Sequence, residues 1–134
     1  MIKVAVIGVG SISECHLDAY VKNKDAELYA ICDINPETLK RQGERYNIPE
    51  ERRFLDYKEL LKLPEIDAVS VCTWNSEHAP VTIAALQAGK NVLCEKPMAT
   101  TLADCERMVE AAKKSGKKLM IDQNQRLAGA HVKA

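Results

Sequence analysis

The sequence lacks an excess of either charge. Lys and Arg number 19, as do Asp and Glu, so the formal net charge over 134 residues is zero. A domain that coats nucleic acid carries a basic surplus, so that class is set aside. Long apolar runs are missing too. None approaches the roughly 18 residues that mark a membrane span. The opening MIKVAVIGVG reads as a strand, without the charged n-region and small-residue cleavage site of a secretion signal. No C-x-x-C spacing occurs among Cys15, Cys32, Cys72, Cys94 and Cys105, and their number is odd. A disulfide framework and a zinc site are therefore unsupported, no metal is expected, and reduced, partly buried thiols in a cytoplasmic protein are the expectation. Internal repeats, linkers and low-complexity stretches are also absent. The 46% hydrophobic content is that of a folded domain, and this length supports one core without staples.

What is present is an alternation of short apolar runs with helical patterns. The runs are Ile2–Ile7, Glu27–Cys32, Arg53–Phe54, Ala68–Cys72, Asn91–Cys94 and Lys118–Ile121. Most are solidly apolar, as in strands covered on both faces. The segments between them carry helix signals. Ser11-x-x-Glu14 reads as a capping box, Asn35-Pro36 as N-cap and first helical residue, and Asp56-x-x-Glu59 as the start of a short helix stopped by Pro64. Asn75 or Ser76 opens a helix ended by Gly89, and Thr101-x-x-Asp104 opens another ended by Gly116. Six strands joined by crossover helices predict an α/β fold, a doubly wound parallel Rossmann sheet in the order 3-2-1-4-5-6.

Three constellations carry chemistry. Gly8-Val9-Gly10-Ser11-Ile12-Ser13 follows the first strand and opens a helix. Gly8 permits a tight turn, Gly10 lets the backbone approach a pyrophosphate, and Ser11 and Ile12 begin a helix whose free N–H groups face the phosphates. Ser13 stands in place of the third glycine, and it is small enough for close helix–strand packing. Asp33 ends the second strand near the ~20-residue spacing at which an acid holds an adenosine ribose. It repels a 2′-phosphate, no cation follows at Ile34 or Asn35, and Arg41 is too far along the helix, so NAD is expected over NADP. The second constellation, Thr73 to His78, ends the fourth strand, where Thr73 and Asn75 can reach the cofactor. Asn75 is equally suited to cap its own helix, and His78, in the first helical turn, is a candidate contact to the cofactor or a structural group. The third is Glu95-Lys96-Pro97 at the end of the fifth strand. There Lys96 is a candidate proton donor, and a cis bond before Pro97 is one way to aim it.

These motifs together resemble the N-terminal half of the glucose–fructose oxidoreductase/inositol dehydrogenase (Gfo/Idh/MocA) family. The resemblance rests on the GVGSIS turn with His16 beyond it, on Cys32 to Glu37, Thr73 to His78 and AGK-NVLCEKP (Ala88 to Pro97), and on Gln123 to Arg126. It implies NAD(P)-dependent oxidation or reduction of a hydroxyl or carbonyl on a sugar, inositol or related polyol. It also implies that Lys96 is the active-site lysine, that Glu95 lies on the cofactor side, and that Asn124 neighbours the nicotinamide. The family's second half, an antiparallel sheet supplying the substrate pocket and an Asp/His pair, is not in this sequence. Residues 1–126 are expected to form the dinucleotide-binding domain, and 127–134 the start of a helix leading to the absent half. Apolar surface near the sixth strand and Leu127–Val132 would then be uncovered, and a homodimer is expected. The other reading is a stand-alone NAD-binding or association module without turnover.

Overall fold

The structure is a computed structural model that describes residues 1–128. Its six strands are β1 (Ile2–Ile7), β2 (Ala26–Cys32), β3 (Arg53–Phe54), β4 (Ala68–Val71), β5 (Asn91–Glu95) and β6 (Leu119–Asp122). They form one sheet in the order β3-β2-β1-β4-β5-β6, and every pairing is parallel. The helices are α1 (Glu14–Lys22), α2 (Pro36–Arg45), α3 (Tyr57–Leu61), α4 (His78–Gln87) and α5 (Leu102–Ser115).

Alternate side chains of a strand point to opposite faces, so a central strand apolar at every position needs cover on both. Ala5 and Ile7 of β1 join a cluster with Leu60 of α3, Val81 and Leu86 of α4 and Met108 of α5. Val6, between them, joins a second cluster with Leu17 of α1, Leu39 of α2 and Ile31 of β2. Cover on this second face is uneven. Val6, Ser70, Leu93 and Met120 are register partners across β1, β4, β5 and β6, so they share a face. The Tyr20 hydroxyl of α1 reaches Ser70 Oγ at 2.6 Å, whereas Met120 at the far end of the row is 57% exposed.

Three helix starts form as their sequences predict. Asn35 Oδ1 accepts from the N–H groups of Glu37 and Thr38 at 2.9 and 3.1 Å, with Pro36 in the first turn. Asp56 accepts from the Lys58 N–H at 2.8 Å. Thr101 Oγ1 accepts from the Asp104 N–H at 3.1 Å and α5 ends on Gly116 at φ +67°. Two starts differ. Ser11–Ser13 form a 3₁₀ turn, α1 begins only at Glu14, and no side chain caps either start. The capping box does not form, and its acid turns away from the helix start: Glu14 Oε1 lies 2.9 Å from Arg45 Nη1. Residues Asn75–Glu77 likewise form a 3₁₀ turn ahead of α4, and neither Asn75 nor Ser76 caps it. Here the turn closes through backbone alone, with the Glu77 N–H donating to the Trp74 carbonyl at 2.8 Å.

At the other end, Asn124–Leu127 form a 3₁₀ turn. Most of the helix expected over 127–134, and of the apolar segment Leu127–Val132, lies outside the described residues. The last residues of three strands are level: the Gly8 N–H donates to the Cys32 carbonyl and the Cys72 N–H to the Ile7 carbonyl, both at 2.8 Å. Gly8 has φ +86°, and a Cβ there would lie 2.7 Å from the Cys72 oxygen and 2.8 Å from the Thr73 nitrogen. Gly10, by contrast, has an ordinary φ of −73° and open space where a Cβ would stand. Gly8→Ala is therefore expected to cost roughly 2–4 kcal/mol, from a left-handed backbone and a clash with backbone atoms together. Gly10→Ala should stay within about 0.5 kcal/mol of the parent. Urea unfolding of the two variants checks the contrast, and equal midpoints would contradict it.

Candidate cofactor site

A cavity of about 500 Å³ opens over the carboxyl ends of β1, β2 and β4. This is where the strand order reverses, because the chain leaves β1 toward β2 on one side and returns to β4 on the other. Gly8, Gly10, Ser11 and Ile12 form its floor, Asp33, Ile34 and Asn35 one wall, and Thr73 and Trp74 the other.

The glycine turn is braced from below. Ser13 is fully buried, and its hydroxyl donates to the Gly10 carbonyl at 2.6 Å, so serine serves where the fingerprint has its third glycine. Gln42 of α2, also buried, donates to the Val9 carbonyl at 3.3 Å. The Asp33 carboxylate holds the same turn from the side. Its Oδ2 accepts from the Val9 N–H and its Oδ1 from the Asn35 N–H, both at 2.8 Å. Each oxygen retains a further lone pair for a hydroxyl donor. An uncapped helix start, open space over Gly10 and a fixed carboxylate beside them fit the pyrophosphate and adenosine ribose of a dinucleotide.

A second polar group lies at the ends of β5 and β6. Glu95 and Asp122 are register partners, and His16 of α1 reaches both: its Nε2 is 2.9 Å from Glu95 Oε1 and 3.7 Å from Asp122 Oδ2. His16 and Glu95 are buried. Glu95 Oε2 also accepts from the Lys96 N–H at 3.1 Å. The Lys96–Pro97 bond is cis. His78, almost fully buried, bridges two loops, with Nδ1 2.6 Å from the Pro97 carbonyl and Nε2 3.2 Å from the Thr73 carbonyl.

The residues singled out in the sequence thus fall into two groups. Gly8, Gly10, Ser11, Ile12, Asp33 and Thr73 line the cavity. Asn75, His78, Glu95, Lys96 and Asn124 do not line it. Of these, His78 and Glu95 are buried braces, while Asn75, Lys96 and Asn124 are exposed. Residues for which the sequence suggested no such place include Ile34 and Leu55 as lining, and His16 and Asp122 as partners of Glu95; Trp74 lines the cavity as well. No local signal pairs His16 with Glu95, which lies 79 positions away.

The strand-end thiols are poor nucleophiles. Burial, reinforced by Asp33, pushes Cys32 up to about 12. Burial, with Glu95 beside it, pushes Cys94 up to about 11. Cys72 is raised further by burial and Glu95. All three are thiols, not thiolates, near neutral pH.

Comparison with known proteins agrees with this geometry. Residues 2–123 match the family model described as an oxidoreductase family with an NAD-binding Rossmann fold. The chain is 37% identical over 124 residues to myo-inositol 2-dehydrogenase of Thermotoga maritima, covering 92% of this chain and 36% of that protein. Among solved structures it resembles the WlbA dehydrogenase of Bordetella pertussis in complex with NADH and UDP-GlcNAcA. That match has 33% identity and a TM-score of 0.92, over 98% of this chain and 39% of the other. It also resembles the aldose-aldose oxidoreductase of Caulobacter crescentus, with 39% identity and a TM-score of 0.87, over 98% of this chain and 40% of that one. The chain therefore spans about a third of the curated relatives' length. With the family's sheet order, its glycine turn and its Glu-Lys-Pro strand end in place, the chain belongs to the Gfo/Idh/MocA oxidoreductase family, as its NAD-binding Rossmann domain.

Proposed function

We propose that this chain is the cofactor-holding part of an NAD-dependent dehydrogenase acting on a hydroxyl or carbonyl of a sugar- or inositol-type substrate. The observation that carries the reading is the Asp33 carboxylate, fixed by two backbone N–H groups beside an uncapped glycine turn. A carboxylate so held accepts from the 2′- and 3′-hydroxyls of a ribose and repels a 2′-phosphate, which favours NAD over NADP. Gly8, Gly10, Ser11 and Ile12 hold the pyrophosphate, Thr73 and Asn75 flank its continuation toward β5, and His78 braces the loop on which Lys96 sits. Glu95 and Asn124 border the nicotinamide end. The cofactor, when bound, takes up or gives back a hydride at nicotinamide C4. Lys96 Nζ carries the proton to or from the substrate oxygen, which polarises the carbonyl in the reducing direction.

The dinucleotide-binding unit is residues 1–126, with 127–134 leading out of it. None of the helices among the described residues is long and apolar enough to cross a membrane. Protonated, buried cysteines suit a reducing cytoplasm.

The exposure of Lys96 favours a second reading for the chain by itself, a module that binds NAD without turnover. Hydride transfer needs donor and acceptor within about 3–3.5 Å, and a clamp on the substrate supplies roughly 7–11 kcal/mol of the barrier reduction. The described residues place no such clamp over Lys96. The partly uncovered face at Leu93 and Met120 suits a second copy of the chain, giving a two-fold homodimer.

Three outcomes follow. In calorimetry, NAD is expected to bind more tightly than NADP, and Asp33→Ala to weaken NAD by about 1.5–3 kcal/mol. Titrating the parent with NAD lacking the adenosine 2′-hydroxyl, which leaves both loop bonds of Asp33 intact, separates the ribose contact from loop support, and tighter binding of NADP would overturn the assignment. An NADH-formation assay with inositol and a panel of sugars should show no turnover by the chain alone. Turnover lost in Lys96→Ala would instead mean that a partner copy completes the pocket. Light scattering should give the mass of two chains and of one chain for Met120→Lys, and a parent that stays monomeric at high concentration contradicts the dimer.

A further inference from the structure

We propose that Trp74 is a stacking wall for the base of the cofactor's adenosine, its indole packing against a purine held across the cleft from Ile34. This rests on the cofactor reading above and assigns a residue that neither the glycine turn nor Asp33 accounts for.

Four large apolar side chains that are at least half exposed line the one cleft: Ile12 at 50%, Ile34 at 81%, Leu55 at 55% and Trp74 at 79%. Exposed apolar groups scattered singly need no explanation, but several converging on one concave site mark a surface that a ligand covers. Asp33 fixes which end of a dinucleotide lies here. A ribose on that carboxylate carries its base into the part of the cleft lined by Ile34, next in sequence, and by Leu55, which follows β3. The nicotinamide end runs the opposite way, toward Glu95 and Lys96 beyond β4. Trp74 follows β4, yet it lines the same cavity as Ile34 and Leu55.

The backbone at Trp74 is held while its ring is not. Its carbonyl accepts from the Glu77 N–H at 2.8 Å and from Thr73 Oγ1 at 3.4 Å. The preceding carbonyl, of Thr73, faces the buried His78 ring at 3.2 Å. An aromatic ring on a fixed backbone, bare to solvent, offers stacking area at little cost in ordering. A flat heterocycle fits it, and base–aromatic stacking is tolerant of the base's hydrogen-bonding pattern.

Trp74 is the single tryptophan, so its fluorescence reports this position alone. The experiment titrates the chain with NAD, with ADP-ribose (base, both riboses and pyrophosphate, no nicotinamide) and with nicotinamide mononucleotide. Calorimetry runs in parallel on the parent, Trp74→Ala and Trp74→Phe. ADP-ribose should change the emission as NAD does, and the mononucleotide should leave it unchanged. Trp74→Ala should raise Kd for NAD and ADP-ribose by the same factor, roughly 5- to 100-fold, with Trp74→Phe recovering most of it. The exposed position leaves the melting temperature of both variants close to the parent's. Emission that follows the mononucleotide but not ADP-ribose would place the indole at the nicotinamide and overturn the inference. So would calorimetric NAD binding with unchanged emission, or with unchanged affinity in Trp74→Ala. Absence of calorimetric NAD binding in the parent would overturn the cofactor reading itself, and the inference with it.

Discussion

Pairing β5 with β6 sets Glu95 and Asp122 side by side at the ends of two parallel strands, one of them buried. Two carboxyl groups so placed need polar partners. What joins them is His16 of α1, the helix of the sheet's first crossover, within 2.9 Å of one and 3.7 Å of the other. Removing one partner of a buried hydrogen-bonded set leaves the other polar group unsatisfied, at a cost of about 1–3 kcal/mol. The cost here would fall on the two strand ends that carry Lys96 and lead to Asn124. The helix that begins at the glycine turn thus also fixes the edge of the sheet where Lys96 stands.

The same device recurs around the cleft: a polar side chain reaches across to hold a loop by its backbone. Asp33 takes the N–H groups of Val9 and Asn35, Gln42 the Val9 carbonyl, and His78 faces the carbonyls of Thr73 and Pro97. Loops at strand ends have no ladder partners of their own, and such bonds satisfy groups that burial would otherwise leave unpaired. They also fix the loops before any ligand arrives. Less conformational entropy is then lost on binding, so more of the contact energy appears as affinity.

How far the sequence revealed this depends on the range of each interaction. The strands were legible because burial on both faces demands continuous apolar runs, and the starts at Asn35, Asp56 and Thr101 because a cap bonds only two or three residues ahead. Ser11 and Asn75 have equally suitable side chains, but the turns they occupy are 3₁₀ and leave no helical N–H in reach of them as caps. That difference is one of backbone path, not of composition. The partnership of His16 with Glu95 spans 79 positions, and no local pattern carries it. His78 shows the converse. Its place in the Thr73 to His78 motif marked it for attention, but only the fold shows the buried ring set between two carbonyl oxygens.

The crevice between β1 and β4 divides the molecule's work. On the β2 side lie a preformed cavity, a carboxylate fixed by two N–H groups and walls of uncovered apolar surface, which are the requirements for holding one end of a long ligand. On the β5 side the backbone is equally well fixed, through Glu95 to the Lys96 N–H and through His78 to the Pro97 carbonyl, but the Lys96 side chain is exposed. An ammonium in water is screened and strongly hydrated, and its leverage on a carbonyl oxygen grows only as water is excluded. Binding and chemistry therefore make different demands on one sheet edge. The first is met within these residues, whereas the second needs a surface laid over Lys96 that excludes solvent and fixes the reacting carbon.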